Sequence, residues 1–159
     1  MLVDLEKCRY SLPGFDLAHA SLYTSTTWDP HSHAELSLGE VRAFHRAWAA
    51  AMAEHDLYWL EEPLFPPEDF TSLARLRDLS GVPLAAGENA CTAVQFQAMF
   101  AAGAVDYAQP SVTKVGGVTE FLKIAALAEA SGVRIMAHSP YIGPGFLASL
   151  HLAAALPDP

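Results

Sequence analysis

Three short motifs, Trp59-Leu60-Glu61-Glu62-Pro63, Gly87-Glu88-Asn89 and Ala137-His138-Ser139-Pro140, decide the fold that this sequence predicts. Each motif ends a short apolar run that is typical of a β-strand, and a helical pattern follows each one. In a parallel barrel, the C-terminal ends of neighbouring strands lie on one face, where active sites form. Two glutamates and a histidine are therefore expected to meet there, although they are far apart in sequence.

Strands and helices are predicted to alternate from residue 37 onward. The predicted strands span residues 57–61, 82–87, 105–110 and 133–138. The predicted helices begin at the capping box Ser37-Leu38-Gly39-Glu40, at Pro66-Pro67, near Val94, at Val118 and near Gly145. Their apolar stripes are Val41, Phe44, Trp48 and Met52; Phe70, Leu73, Leu76 and Leu79; Val94, Phe96, Met99 and Phe100; and Phe121, Ile124, Ala125 and Leu127.

This alternation indicates an α/β fold with a parallel sheet and crossover helices. The strand spacings are 26 residues from Tyr58 to Leu84, 23 to Tyr107 and 28 to Ile135. Such even spacing favours a (β/α) barrel over a doubly wound sheet, and no Gly-rich phosphate motif follows any strand. A complete barrel needs eight units in about 250 residues. Four units and a possible strand at residues 1–5 predict a partial TIM-type barrel.

The chain is predicted to divide at residue 36. Residues 1–36 form an irregular N-terminal segment with the possible first strand, and residues 37–159 form the partial barrel domain. The stretch 8–36 lacks apolar periodicity and is expected to be the least ordered part. His31 and His33 in this stretch have the donor chemistry of metal ligands, but solvated histidines are the favoured interpretation.

Composition limits the classes of function. The chain has 159 residues, of which 52% are hydrophobic and 17% charged, so a globular domain is expected. A net charge of -9 argues against nucleic-acid binding. No apolar run has the length of a membrane span, and no signal peptide is recognisable. Cys8 and Cys91 are too few for a disulfide framework, so we expect buried free thiols and a cytoplasmic location.

From Leu57 onward, the chain resembles the mandelate racemase and muconate-lactonizing branch of the enolase superfamily. The resemblance rests on the three motifs above and on Gln109-Pro110-Ser111-Val112-Thr113-Lys114-Val115-Gly116-Gly117, in the family's order. It implies a (β/α) barrel that binds one Mg²⁺ through three carboxylates. It also implies abstraction of the proton next to the carboxylate of a small substrate, such as a sugar acid, by a dehydratase (a lyase) or a racemase (an isomerase).

The resemblance assigns roles to individual residues. Glu61 and Glu88 correspond to metal ligands, and His138 corresponds to the catalytic histidine. Glu62 is expected to support the ligands or to bind a neighbouring cation, and Asn89 is expected to hydrogen-bond Glu88. No organic cofactor is implied.

The chain departs from the family pattern at several positions. The first metal ligand should be an aspartate on the preceding strand, but the candidate, Asp4, precedes Glu61 by 57 residues. Ser111 replaces the aspartate that pairs with the histidine in racemase-like members, or the lysine of muconate-lactonizing members, so it can only support the site. Lys114 is interpreted as a turn lysine. The family's Lys-x-Lys strand and its capping domain are not recognisable.

Two hypotheses follow from these observations. The first is a Mg²⁺-dependent acid-sugar dehydratase or racemase. The second is a truncated, catalytically deficient barrel fragment that acts only as an assembly subunit or has no independent activity. Because a partial barrel has unpaired strand edges, a homo-oligomer is expected under either hypothesis.

Overall fold

A computed structural model of the protein describes residues 37–156. The predicted strand at residues 1–5, with Asp4, lies outside the described residues. So do Cys8, the 8–36 segment with its two histidines, and residues 157–159.

Four parallel strands form the sheet, in the order in which they occur along the chain. They are β1 (Leu60–Glu61), β2 (Leu84–Ala86), β3 (Tyr107–Ala108) and β4 (Arg134–Ile135). Glu61 pairs with Ala85, Ala85 with Tyr107, and Tyr107 with Arg134. A doubly wound sheet would reverse its strand order at a switch point. The sequential order is that of a barrel, so the predicted partial (β/α) barrel is confirmed.

Helices connect the strands at the predicted places. They are α1 (Leu38–Met52), α2 (Phe70–Ser80), α3 (Ala93–Ala101), α4 (Val118–Ala130) and α5 (Pro144–Ala155), with a 3-10 turn at Ala53–His55. The predicted capping box is present: the Ser37 hydroxyl accepts from the Glu40 amide, and the Glu40 carboxylate accepts from the Ser37 amide at 2.8 Å. None of these helices is long and apolar enough to cross a membrane.

The core lies between the sheet and the helices. Leu60, Leu84 and Ala108 are buried on the side of the sheet that faces α2, α3 and α4. From these helices, Leu73, Phe96 and Phe121 complete the buried cluster. Since successive strand residues point to opposite faces, Glu61 points away from this core.

An ion pair joins the strands at the end opposite the predicted site. Arg77 of α2 donates through Nε to Asp106 Oδ1 at 2.9 Å and through Nη1 to the Gly103 carbonyl at 3.3 Å. The other oxygen of Asp106 accepts from the Leu84 amide at 2.9 Å. Burial alone would raise the pKa of Asp106, but the hydrogen bonds from Arg77 and the Leu84 amide outweigh it and lower that pKa. The pair therefore fixes where β2 and β3 begin.

Four details of the prediction are wrong. Helix α2 begins at Phe70 and not at Pro66, because Asp69 caps it by accepting from the Ser72 amide. Val94 is 73% exposed, since it lies two residues, or about 200°, around the helix from buried Phe96. Leu79 is 47% exposed, because apolar residues spaced by three drift about 60° per step around a helix. Cys91 is a free thiol as expected, but it is exposed.

Candidate active site at the strand ends

The first carboxylate of the site is Glu61, the last residue of β1. Leu60, with 1% exposure, points into the core, so the exposed Glu61 side chain projects from the opposite face. The Trp59 indole lies two residues earlier on that same face and donates to Glu61 Oε2 at 3.0 Å. Glu61 is therefore held by a neighbouring side chain at the C-terminal end of the sheet.

Glu62 has a different environment from Glu61. Its backbone is left-handed, with φ 37°, and its carboxylate turns toward the β2 loop. There it accepts from Asn89 Nδ2 at 2.8 Å and from the Gly87 amide at 3.5 Å. Burial raises the pKa of Glu62, and the negative charges of Glu88 and Glu61 raise it further. The expectation that Asn89 supports Glu88 is wrong, because its amide binds Glu62 instead.

Glu88 follows β2 through a glycine that no other residue could replace without strain. Gly87 has φ 129°, and a Cβ there would lie 2.8 Å from Phe96 Cε1 and 3.1 Å from the Gln109 amide nitrogen. The close packing brings the β2 loop against β3, where the Gln109 amide donates to the Ala86 carbonyl at 2.9 Å. Glu88 is thus positioned at the same end of the sheet as Glu61.

His138 lies between Glu88 and Ser111. Its Nε2 is 3.1 Å from Glu88 Oε2, and its Nδ1 is 2.7 Å from Ser111 Oγ. Ser111 is completely buried and can also donate to the His138 carbonyl at 3.3 Å. A neutral imidazole that accepts from Ser111 at Nδ1 carries its proton on Nε2, where it can be donated to Glu88. The structure thus brings together three residues that the sequence separates by up to 50 positions.

Lys114 does not contact His138 through any hydrogen bond in the described structure. Its Nζ donates to the Glu88 carbonyl at 2.8 Å from a turn that follows β3. This contact joins the loops after β2 and β3, in agreement with the interpretation of Lys114 as a turn lysine.

Three further polar groups near the site were not predicted. The Trp59 indole could have been found, because residues i and i+2 of a strand share a face. Gln109 stands two residues before Ser111, and its Oε1 is buried without a partner in the part of the chain described. The Tyr141 hydroxyl is also buried, the nearby hydroxyl groups of Ser111 and Thr113 lower its pKa, and its ring lies edge-on to His138 at 6.2 Å. Gln109 opens a motif on which the family resemblance rests, but no sequence pattern marked Tyr141.

The donor set suits a hard cation only in part. Glu61 and Glu88 offer carboxylate oxygens, the ligands that Mg²⁺ prefers. Burial raises the pKa of Glu62, and the charges of Glu88 and Glu61 raise it further; a bound cation would relieve that repulsion within the acidic cluster of Glu61, Glu62 and Glu88. Within residues 37–156, however, no three His, Cys, Asp or Glu side chains are grouped to hold a metal. The third expected ligand, Asp4, lies outside the described residues.

Sequential parallel strands with carboxylates and a histidine at their C-terminal ends are typical of a (β/α)-barrel active site. The sequence model described as "Enolase C-terminal domain-like" matches residues 33–159. The chain therefore belongs to this family, and the resemblance to the mandelate racemase branch of the enolase superfamily is confirmed.

Similar proteins include enzymes that act on sugar acids. The chain is 40% identical over 100 residues to the 3,6-anhydro-alpha-L-galactonate cycloisomerase of Streptomyces coelicolor, covering 63% of this chain and 26% of that protein. It is 36% identical over 129 residues to a D-galactonate dehydratase family member of Streptomyces bingchenggensis, covering 80% and 30%. The chain thus spans between a quarter and a third of these curated relatives.

A solved structure of a sugar-acid dehydratase also matches this chain. The L-talarate dehydratase of Polaromonas sp. JS666, complexed with Mg and L-glucarate, superposes with a TM-score of 0.65 and 33% identity. The match covers 74% of this chain and 30% of that one. Since the identity exceeds what a shared fold alone requires, the likeness extends to the family and not only to the architecture.

Proposed function

We propose that this chain carries part of the active site of a Mg²⁺-dependent acid-sugar dehydratase or racemase-type enzyme, which abstracts the proton next to a substrate carboxylate. The observation that carries the proposal is the position of His138 Nε2, 3.1 Å from Glu88 Oε2 at the strand ends. A proton-transfer group beside carboxylates of metal-ligand type is what this reaction needs. The named activities of the similar proteins support the choice of sugar acids as substrates.

Glu61 and Glu88 are the residues of the described chain that would hold the cation, with Asp4 as the third candidate. A bound Mg²⁺ supplies Lewis acidity, because it withdraws charge from a substrate carboxylate and makes the adjacent C–H bond more acidic. Glu62 would support these ligands from its position against Asn89. We also infer a cytoplasmic setting for the enzyme from its cysteine usage.

His138 is the residue proposed to move protons. A substrate that enters between His138 and Glu88 would replace their contact. In the tautomer with its proton on Nε2, His138 could give that proton to a departing hydroxyl group. In the other tautomer, Nδ1 donates to Ser111 Oγ, which can donate in turn to the His138 carbonyl, and Nε2 is free to accept the α-proton. Dehydration then balances: the substrate loses one proton and one hydroxide, which together make water. Ser111 orients the ring through Nδ1 but brings no negative charge, so it cannot stabilise the imidazolium as an aspartate would.

We expect proton transfer on only one face of the substrate α-carbon. Racemisation needs a second base on the opposite face of the α-carbon, and none of the three lysines of this chain stands in a Lys-x-Lys pair. From the residues of this chain alone, we therefore favour dehydration or one-sided hydrogen exchange over racemisation.

The test uses the purified full chain with Mg²⁺ and a panel of sugar acids in deuterated water. We expect slow α-deuteration with retention or slow dehydration, both abolished by a chelator and by His138→Asn. The matched control is His151→Asn, since His151 is exposed on α5 and away from the strand ends. NMR of the sugar acid distinguishes the outcomes.

Two outcomes would contradict the proposal in different ways. Deuterium incorporation with inversion would show that a second base is present. No metal-dependent exchange with any sugar acid would favour the second hypothesis, a fragment without independent activity. One observation favours that hypothesis: residues 37–156 bring no complete set of metal ligands together.

A further inference from the structure

We propose that Trp59 is a positioning residue for the metal-ligating carboxylate of Glu61. Its indole N–H holds one carboxylate oxygen and leaves the other free for a cation. The inference rests on the proposed metal-binding role of Glu61 and assigns to Trp59 a role that the ligand chemistry alone does not give it.

The hydrogen bond has ordinary geometry for a charge-assisted contact. Trp59 Nε1 and Glu61 Oε2 are 3.0 Å apart, and both side chains leave the same face of the chain because they are two residues apart. Indole is a donor only, so the bond has one possible direction.

Each carboxylate of the acidic cluster has its own side-chain partner within residues 37–156. Asn89 donates to Glu62, His138 contacts Glu88, and the Trp59 indole donates to Glu61. Glu61 is exposed, so without such a partner its side chain would sample several rotamers. The indole therefore supplies for Glu61 the orientation that the neighbouring loops supply for the other two.

The indole itself is held by aromatic neighbours. Its ring meets Tyr58 edge-on at 5.2 Å and 74°, and it lies against Tyr107 at 5.4 Å and 48°. Tyr107 is a buried residue of β3, and Arg134 of β4 stands over its ring at 5.8 Å. Contacts with Tyr58, its neighbour in the chain, and with Tyr107 of β3 thus fix the ring plane, and with it the direction of the N–H group.

The experiment compares Mg²⁺ binding to the full chain and to two variants by calorimetry. Trp59→Phe keeps an aromatic ring but removes the N–H, and loss of such a supporting hydrogen bond typically weakens metal affinity by about 10–100-fold. The control, Trp48→Phe, makes the same chemical change on α1, outside the candidate site, so its affinity should stay within about twofold of the parent chain. Equal melting temperatures would separate a positioning effect from general destabilisation.

A second measurement does not depend on Trp59→Phe folding. The parent chain should show three indole N–H signals in a ¹H–¹⁵N spectrum, from Trp28, Trp48 and Trp59. One of them should shift on adding Mg²⁺ and also in Glu61→Ala, where its acceptor is lost.

The outcomes separate this inference from the proposed function. Undiminished Mg²⁺ affinity in Trp59→Phe, or an indole spectrum unchanged in Glu61→Ala, would overturn the positioning role while leaving the metal site intact. A parent chain that binds no Mg²⁺ would overturn both proposals. The inference would be supported if Mg²⁺ affinity falls in Trp59→Phe but not in the control, and if the indole N–H signal shifts in Glu61→Ala.

Discussion

Replacing Gly87 by alanine should be among the most damaging single-methyl changes in this chain. The residue has φ 129°, and its added Cβ would lie 2.8 Å from Phe96 Cε1 and 3.1 Å from the Gln109 amide nitrogen. Holding a non-glycine residue in such a backbone conformation costs about 1–3 kcal/mol. Overpacking against a buried ring and a backbone atom adds about 1–3 kcal/mol. The expected loss of unfolding free energy is therefore about 4 kcal/mol, within a range of about 2–6.

The assay is urea unfolding followed by circular dichroism. With a slope of about 1–3 kcal/mol per molar urea, such a loss lowers the midpoint by about 2 M. The matched control is Gly81→Ala at the end of α2, where φ is 67° but nothing lies within 4 Å of the added Cβ. That change should cost only the backbone penalty, about 1–2 kcal/mol. Equal losses in the two variants would refute the argument from close packing.

Three further outcomes are expected. Because the folded-state pKa of Glu62 is raised by burial and by Glu88, ionisation of Glu62 should lower the stability of the metal-free chain as pH rises above the unfolded value of about 4.3, and Glu62→Gln should remove that contribution. Equal urea midpoints of the parent chain and Glu62→Gln at pH 7 would contradict this. Because the folded-state pKa of Asp106 is lowered, its contribution should be present above about pH 4 and be lost as pH falls through the folded value. Asp106→Asn should then cost about 1–2 kcal/mol at pH 7 but much less at pH 3, and a cost independent of pH would count against it. Because β1 and β4 each have one unpaired edge within residues 37–156, self-association should give dimers or larger species in sedimentation at about tens of micromolar, whereas a stable compact monomer would exclude it.

The sequence was sufficient for the architecture because periodicity and spacing are local. Even strand spacing predicted a sequential parallel sheet, which the structure has. The ends of the apolar runs predicted Glu61, Glu88 and His138 at one end of it, and the structure shows a contact between Glu88 and His138. The helix faces were less reliable. Val94 was grouped with Phe96 as inward-facing, although a two-residue step places side chains on nearly opposite sides of a helix.

Contacts within the site were harder to predict because they depend on backbone detail. Asn89 binds Glu62 and not Glu88, since the left-handed backbone of Glu62 turns its carboxylate toward the β2 loop. A pattern of residue types does not predict a positive φ at a glutamate. The contact between Trp59 and Glu61, by contrast, follows from strand alternation and was predictable in principle.

The central claim is that the strand ends of this chain form a divalent-cation site beside His138. The most direct measurement is a crystal structure of the full chain grown with Mn²⁺, which suits carboxylate sites and scatters anomalously. The account predicts one anomalous peak bound by oxygens of Glu61 and Glu88, at roughly the 2.1 Å typical of octahedral Mg²⁺ sites. Glu61 and Glu88 without a shared peak, or a Mn²⁺ ion bound elsewhere on the chain, would contradict it.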